Sequence, residues 1–205
     1  YINNNEPSSS INEGRYIKKK NSSNSSKVFL YNENPFEGII DHLTKESGGN
    51  VVLNGTVVVT SSSKSGFQER TNLFSIVDLH NKQNYFQTGG HDNSWIKLDF
   101  VDKKIHPTHY SLRNRNDYEG NHSLKNWVIE GTNINSDNDN DWKLLDSHQN
   151  DSYLNGANTC HTYQISQQND EKEYYRYLRI RQTGQNSSGH NCITLSAIEF
   201  FGSLC

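Results

Sequence analysis

The sequence predicts an all-β protein, an antiparallel β-sandwich of two sheets with one short helix near its start. Short runs of alternating apolar and polar residues recur roughly every 8 to 15 residues, and polar turn residues separate them. Only one substantial stretch has the apolar spacing of a helix, which argues against a fold that alternates strands with helices. These observations indicate a sandwich that carries its function on loops or on a sheet face.

The first 27 residues differ in composition from the rest of the chain. Residues 1–27 are rich in Asn and Ser and include the lysine run Lys18–Lys20, so we expect a polar linker or tail that buries little apolar surface. We expect the folded domain over residues 28–205. The sequence starts at Tyr1 and contains no methionine, so we expect a processed product or a piece of a longer protein.

The segment after a short predicted strand at Val28–Tyr31 has the pattern of an amphipathic helix. Asn34 is expected as its N-cap, Pro35 as its first helical residue and Glu37 as the acid that reaches back to the cap. Gly48–Gly49 is expected to end it. One apolar stripe follows helical spacing. Its members are Phe36, Ile39, Ile40 and Leu43.

The chain after the helix consists of predicted strands. Asn54–Gly55 lies between Val51–Leu53 and Thr56–Thr60 and predicts a hairpin. Further predicted strands are Phe74–Leu79, Tyr85–Gln87, Trp142–Leu145, His161–Ile165, Tyr174–Gln182 and Ile193–Phe201, together with three in the central stretch 94–131.

The central stretch has the clearest period of two, which predicts half-buried strands. The residues expected to face the core are Ile96, Leu98, Phe100, Tyr110, Leu112, Trp127 and Ile129. Those expected on the opposite faces are His109, Ser111, Arg113, Arg115, Val128 and Glu130.

Six motifs occur in order over residues 94–202: SWIKLDF, IHPTHYSLRNR, SLKNWVIEGTN, DWKLLD, YYRYLRIRQTG and LSAIEFFG. Together they resemble the coagulation factor V/VIII type C, or discoidin, domain of the galactose-binding-like superfamily. The version that is most similar is the intracellular one found in proteins of unicellular eukaryotes. The resemblance covers about residues 28–204 and implies an eight-stranded jelly roll that binds ligands with loops at one end of the barrel.

The superfamily that this resemblance implies takes galactosides, phospholipid headgroups, nucleic acids or proteins, so the fold alone selects none of them. The formal charge of −3 argues against a general binder of nucleic acid or membrane surfaces. The expected loops Thr88–Ser94, Asn114–Ser123 and Thr183–Asn191 are polar, and Tyr118 is their sole aromatic residue. We therefore predict no membrane binding through exposed apolar loop tips.

Three arginines at the ends of predicted strands are candidate ligand-binding residues: Arg113, Arg115 and Arg181. A guanidinium group can donate two hydrogen bonds to a carboxylate, a phosphate or a pair of sugar hydroxyls. The alternative is that these arginines pair across strands with Glu130 or Asp117.

The loop Gly89–Ser94 is a second candidate, because two glycines allow a tight turn that exposes His91, Asp92 and Asn93 beside Trp95. Hydrogen-bonding groups next to an aromatic ring suit sugar recognition. The alternative is a turn in which the Asp and Asn side chains bind their own backbone. With Tyr118, these residues and the three arginines form the candidate site.

No pattern in the chain predicts a metal, a cofactor or a catalytic centre. Asp137, Asp139 and Asp141 imitate the start of a calcium loop, but Trp142 and His148 occupy the positions that require Gly and Glu. The pairs Cys160–His161 and His190–Cys192 lack the usual spacing of zinc ligands. Motifs such as G-x-S-x-G, H-E-x-x-H and a phosphate-binding glycine loop are absent from the sequence.

The leading functional hypothesis is a non-enzymatic interaction module of a larger intracellular protein that binds a protein partner, such as a cytoskeletal or ubiquitin-ligase assembly. The alternative is a lectin-like module for galactose-type sugars. The odd number of three cysteines favours an intracellular chain, while a Cys160–Cys192 disulfide remains the rival interpretation.

Overall fold

The computed structural model describes residues 26–66, 72–116, 122–167 and 172–205. Over these residues the chain forms eleven strands and the helix α1 (Ile39–Ser47), with 3-10 helices at Leu73–Val77 and Asp139–Asp141. The strands are β1 (Lys27–Phe29), β2 (Val58–Ser61), β3 (Phe86–Gln87), β4 (Trp95–Asp99), β5 (Ile105–Arg113), β6 (Trp127–Thr132), β7 (Lys143–His148), β8 (Cys160–Gln164), β9 (Tyr177–Gln182), β10 (Thr194–Leu195) and β11 (Ala197–Leu204).

The strands form two main sheets and a small ribbon. The four-stranded sheet has the order β1-β11-β5-β8, the five-stranded sheet has the order β2-β4-β9-β6-β7, and β3 pairs with β10. All the pairings between these strands are antiparallel. The predicted antiparallel sandwich with one short helix is therefore confirmed.

The residues predicted to face the core are buried between the two sheets. Those of β4, β5 and β6 have exposures of 0%. The polar residues of the opposite faces are also buried: Ser111, Arg113, Arg115 and Glu130 expose 0%, 2%, 5% and 4%. The expectation of half-buried strands was wrong at these positions, because loops and neighbouring charged side chains cover the outer faces.

The helix confirms the predicted apolar stripe but begins later than expected. Its N-cap is Gly38, which has no side chain to serve as a cap. The Glu199 carboxylate on β11 takes that role and accepts from the backbone N–H groups of Gly38 (3.1 Å), Ile40 (2.7 Å) and Asp41 (2.9 Å). Asn34 instead accepts from the N–H of Phe36 in a local turn.

Two predicted strand segments were wrong. Residues 51–55 form turns, because the side-chain oxygens of Asn50 and Asn54 bind nearby backbone N–H groups that a hairpin would pair across strands. The apolar run expected as a strand at Phe74–Leu79 is a 3-10 helix with Ile76 and Val77 buried. A short apolar run does not distinguish a strand from a buried turn of helix.

One end of the sandwich collects the loops that were expected to bind a ligand. The strand register places Trp95 opposite Arg181, and Trp127 opposite both His148 and Gln182. The 88–94, 149–159 and 183–193 loops and the described parts of 114–126 therefore lie at the same end, which we call the loop end. No helix in the described part of the chain is long and apolar enough to cross a membrane.

Candidate functional site

The loop end carries an open polar depression of about 310 Å³, which we call the loop-end depression. Two loops and the end of β9 form its walls. The residues that line it are Asp92, Asn93, Gln182, Thr183, Gly184, Gln185 and Asn191. Gly184 has no side chain and every other member of this set has a polar one, so the depression suits a ligand that offers hydrogen bonds.

The loop before β4 is held in place by Ser94. The Ser94 hydroxyl lies within 2.7–3.1 Å of three backbone carbonyl oxygens, one of which belongs to Asn191 on the opposite wall. The Asn191 amide also donates to the Asp92 carboxylate. Asn93 has a φ of 57°, a left-handed conformation that Asn tolerates. The rim of the depression is thus fixed by contacts between its two loops.

Gln182, which sequence analysis did not single out, lies in the wall of this depression. It is 1% exposed, and its side-chain N–H donates to the His190 carbonyl at 3.0 Å. Its Oε1 atom has no hydrogen-bond partner. A buried acceptor without a partner costs on the order of 1–3 kcal/mol, so this atom is a local cost to stability at the wall of the depression. The signal in the sequence is a polar residue on the inward face shared with Leu178 and Ile180.

Arg181 lies beside the depression and is held by a carboxylate. Its Nη2 and Nε atoms donate to the two Glu130 oxygens at 2.6 and 3.1 Å, and its Nη1 is 3.5 Å from Asn93 Oδ1. The hydrogen bond to Glu130 raises the pKa of Arg181, against burial. This is the cross-strand pair that the sequence suggested as an alternative to ligand binding.

Arg113 is buried and its hydrogen bonds connect β5 to two other segments of the chain. Its guanidinium group donates to Ser196 Oγ at 2.9 Å and to the carbonyl oxygens of Leu79 and Asn81 at 2.8 Å each. The group also lies 4.9 Å from the centre of the Phe36 ring. With 2% exposure, its side chain is directed to the protein interior and away from the depression.

The remaining candidates lie outside the depression or outside the described residues. Arg115 is buried over the Tyr85 ring, and Trp95 is half-buried beside Lys97 on the outer face of the five-stranded sheet. His91 is exposed next to the rim. Tyr118, like the suggested partner Asp117, lies outside the described residues. The structure thus brings together Asp92, Asn93 and, at their edge, Arg181.

The acidic loop before β7 binds cations of the protein itself. Asp139 accepts from Arg179 at 2.8 Å, and Asp137 lies 3.9 Å from the Lys97 amino group. Within the described ranges, His, Cys, Asp and Glu side chains do not form a group of three or more placed to hold a metal. Cys160, Cys192 and Cys205 are all free thiols, with Cys192 buried.

A second group of polar and aromatic side chains closes the open edge between β7 and β8. Asp146 accepts from Tyr110 Oη at 2.8 Å and contacts His148 Nε2 at 2.8 Å. Burial opposes ionisation of Asp146, but hydrogen bonds from His148, Ser166 and Tyr110 outweigh it and lower the pKa. Trp127 stacks on His148 with ring centres 4.5 Å apart. The Asp146 carboxylate and the His148 imidazole are therefore hydrogen-bonded to each other.

Comparison with known proteins gives no match to a family model. The chain is 32% identical over 116 residues to the E3 ubiquitin-protein ligase Ufd4 of Drosophila melanogaster, a match that covers 56% of the chain. It is 30% identical over 99 residues, or 48% of the chain, to the E3 ubiquitin-protein ligase hecd-1 of Caenorhabditis elegans. The matched segment is 4% of the length of each relative.

Solved structures match a larger share of the chain. A fucolectin from striped bass (Morone saxatilis) serum superposes with a TM-score of 0.57 at 20% identity, covering 75% of this chain and 48% of that one. The chain has the galactose-binding-like fold. A Clostridium perfringens CBM32 module in complex with GalNAc-β-1,3-galactose gives a TM-score of 0.54 at 10% identity, covering 72% and 96%. The predicted discoidin-like jelly roll is thereby confirmed as a fold.

Proposed function

We propose that this chain is a non-enzymatic recognition module of a larger intracellular protein, and that it binds a protein partner through the loop-end depression. The sequence similarity to segments of two ubiquitin ligases supports this proposal, since it exceeds the identity to the sugar-binding structures. By analogy, the partner would be a component or a substrate of a ubiquitin-ligase assembly. Nucleic acid and membrane binding remain outside the proposal.

The observation that carries the proposal is an open polar depression whose rim is fixed by hydrogen bonds between its own loops. A preorganised acceptor surface binds without having to be ordered first. Among the described lining residues, Asp92 is the sole acid or base. General acid–base catalysis commonly pairs two groups, so this lining favours recognition over chemistry.

The proposal is tested in the full-length parent protein by crosslinking it to its partners in its own cells. We expect crosslinks from the 88–94 and 183–191 loops, and loss of the crosslinked partner when Asp92 is replaced by Ala. The matched control is Asp102→Ala, which removes another exposed aspartate at the opposite end of the sandwich. Crosslinks that avoid residues 28–204, or equal capture by the two variants, would contradict the proposal.

A lectin-like function is the second candidate, and the uniformly polar lining of the depression favours it. The structural neighbours include a family 32 carbohydrate-binding module of Clostridium perfringens NanJ in complex with galactose, with a TM-score of 0.50 at 11% identity. A glycan array probed with the whole chain tests this candidate. Binding of galactosides that disappears in Asn93→Gly, a change that preserves the positive φ, would replace the protein partner by a sugar.

A further inference from the structure

Tyr153 presents an aromatic ring to solvent next to the loop-end depression. The residue is 63% exposed although one face of its ring is covered. That face lies on the His161 imidazole, with ring centres 4.1 Å apart and an angle of 8° between the planes. His161 in turn contacts the buried ring of Tyr163 edge-on at 4.6 Å. One face of the Tyr153 ring therefore packs on His161 and the other face is open to solvent. We call this open face the platform.

The loop that carries Tyr153 is fixed at several points. The N–H of Asp151 donates to the Lys125 carbonyl at 3.0 Å, and the N–H of Tyr153 donates to Asp151 Oδ1 at 2.9 Å. Leu154 is fully buried, and the carbonyl of Gly156 accepts from Asn114 at 2.9 Å. The ring is therefore held in position before any ligand arrives, which lowers the entropy lost on binding.

Asn126 joins this loop to the wall of the depression. Its side-chain oxygen accepts from the N–H of Asn150 at 2.9 Å, and its amide donates to the Gln185 carbonyl at 2.7 Å. Gln185 lines the depression, and Asn150 precedes Tyr153 by three residues. The platform and the depression are therefore neighbours on one surface, and an extended ligand can contact both.

The charges beneath the platform are negative. Asp151 and Asp146 have side-chain exposures of 6% and 3%, and His148 lies between them at 3.6 and 2.8 Å. Even with His148 protonated, this group of three carries a net negative charge. Burial lowers the pKa of His161, so its imidazole is neutral near pH 7 and the tyrosine ring is not already paired with a cation.

We propose that Tyr153 is a cation-binding platform for an arginine or lysine side chain of the partner, whose remaining donors enter the loop-end depression. The negative face of the ring and the aspartates below it favour a cation. The exposed Asp92 carboxylate in the lining of the depression favours hydrogen-bond donors in the same segment. This inference rests on the proposed function, since it takes the depression to be the site of a protein partner.

The test uses the isotopically labelled 205-residue chain and defined probes, observed by NMR. The probe is a capped peptide of alternating Gly and Arg, and its controls are the same peptide with neutral citrulline and methyl β-galactoside. We expect the arginine peptide to shift the Tyr153 and His161 ring signals and the Gln182 amide signal. Tyr153→Ala should weaken binding about three- to fivefold, the size of an exposed cation–π contact.

The matched control is Tyr31→Ala, which removes another exposed tyrosine in contact with a histidine ring and should leave binding unchanged. Equal binding of the citrulline peptide, no shift of the Tyr153 ring at millimolar peptide, or a ring shift caused by the galactoside alone would overturn the inference. Unchanged affinity of the arginine peptide for Tyr153→Ala, with the Gln182 shifts retained, would overturn it and leave the proposed function standing. Partner capture that is insensitive to Asp92→Ala would instead contradict the proposed function, on which the inference rests.

Discussion

Glu199 is fully buried, and its carboxylate binds the first N–H groups of α1 as well as the N–H of Phe200. Burial raises its pKa to about 7, although these backbone donors oppose the shift. Because folding raises this pKa above the ordinary value of 4.5, the contribution of Glu199 to stability is complete below pH 4.5 and is lost as the pH rises to about 7.

We therefore predict a pH-dependent effect of Glu199→Gln. Relative to the variant, the wild-type protein should lose about 3 kcal/mol of unfolding free energy between pH 4.5 and 7. Denaturant unfolding of both proteins across this range measures the difference. Glu46→Gln, at an exposed position of the same helix, is the control and should keep the wild-type slope. A constant difference between wild type and Glu199→Gln would refute the assignment.

Arg113 gives a second prediction for a single side chain. Arg113→Leu removes three hydrogen bonds and leaves the Leu79 carbonyl and the Ser196 hydroxyl without this donor. Unpaired buried acceptors should lower the unfolding free energy by about 3 kcal/mol, measured by denaturant titration. Lys82→Leu, at an exposed position of the neighbouring loop, should change it by less than about 0.5 kcal/mol. A similar small effect for Arg113→Leu would contradict the internal role.

The residue patterns predicted burial better than they predicted roles. Alternation identified the inward face of β4, β5 and β6, because burial follows the period of the strand. The sequence left Arg113 as a candidate for ligand binding or for a cross-strand ion pair and gave Glu199 no role, since both side chains bind groups far away in the chain. Gln182 was missed for the related reason that a polar residue on an inward face becomes informative only when its unpaired oxygen is seen.

At the scale of elements, α1 depends on close contact with β11. A Cβ atom on Gly38 would lie 2.3 Å from the Phe200 carbonyl oxygen and 2.9 Å from the Glu199 side chain. We predict that Gly38→Ala lowers the unfolding free energy by about 2–3 kcal/mol, because the helix must move away from the strand. Thermal and denaturant unfolding measure this loss.

Gly49 is the matched control for this prediction, since a Cβ atom there would meet nothing within 4 Å. Gly49→Ala should change the unfolding free energy by less than about 0.5 kcal/mol. Equal effects of the two alanines would show that the docking of α1 does not contribute to stability.

The elements that sequence patterns mispredicted are those decided by side chains binding nearby backbone. Asn50 and Asn54 replaced the expected hairpin with turns, and Glu199 replaced the expected Asn34 cap. Strand β11 continues past the expected end at Phe201, because Gly202 adopts a φ of 137° at a register shift and pairing resumes with β5 and β1. Such contacts depend on the tertiary structure and leave little trace in local periodicity.

For the whole molecule, the boundary between the polar tail and the folded domain remains a prediction. Removal of residues 1–25 should leave the unfolding free energy within about 0.5 kcal/mol of the full chain, because this segment has little apolar surface to bury. Calorimetry of the shortened chain checks the boundary. A loss of several kcal/mol would place part of the tail in the folded domain.

The antiparallel sandwich was predictable because it follows from repeated short strands. The discoidin-like version of this sandwich was predictable because six motifs occur in order. The resemblance implied binding loops at one end of the barrel, and the register of β4 against β9 places the loops Thr88–Ser94 and Thr183–Asn191 at the same end. The shape of the depression was not predictable. It depends on contacts between loops, such as that of Ser94 with Asn191, which no pattern encodes.

The central claim is that the loop end is the binding surface of this module. The most direct measurement is hydrogen–deuterium exchange of the chain with and without its crosslinked partner, purified as a complex. We predict slower exchange in the 88–94, 149–159 and 183–193 loops and unchanged exchange at 100–104 at the opposite end. Protection confined to the opposite end, or to the outer face of the five-stranded sheet, would contradict the claim.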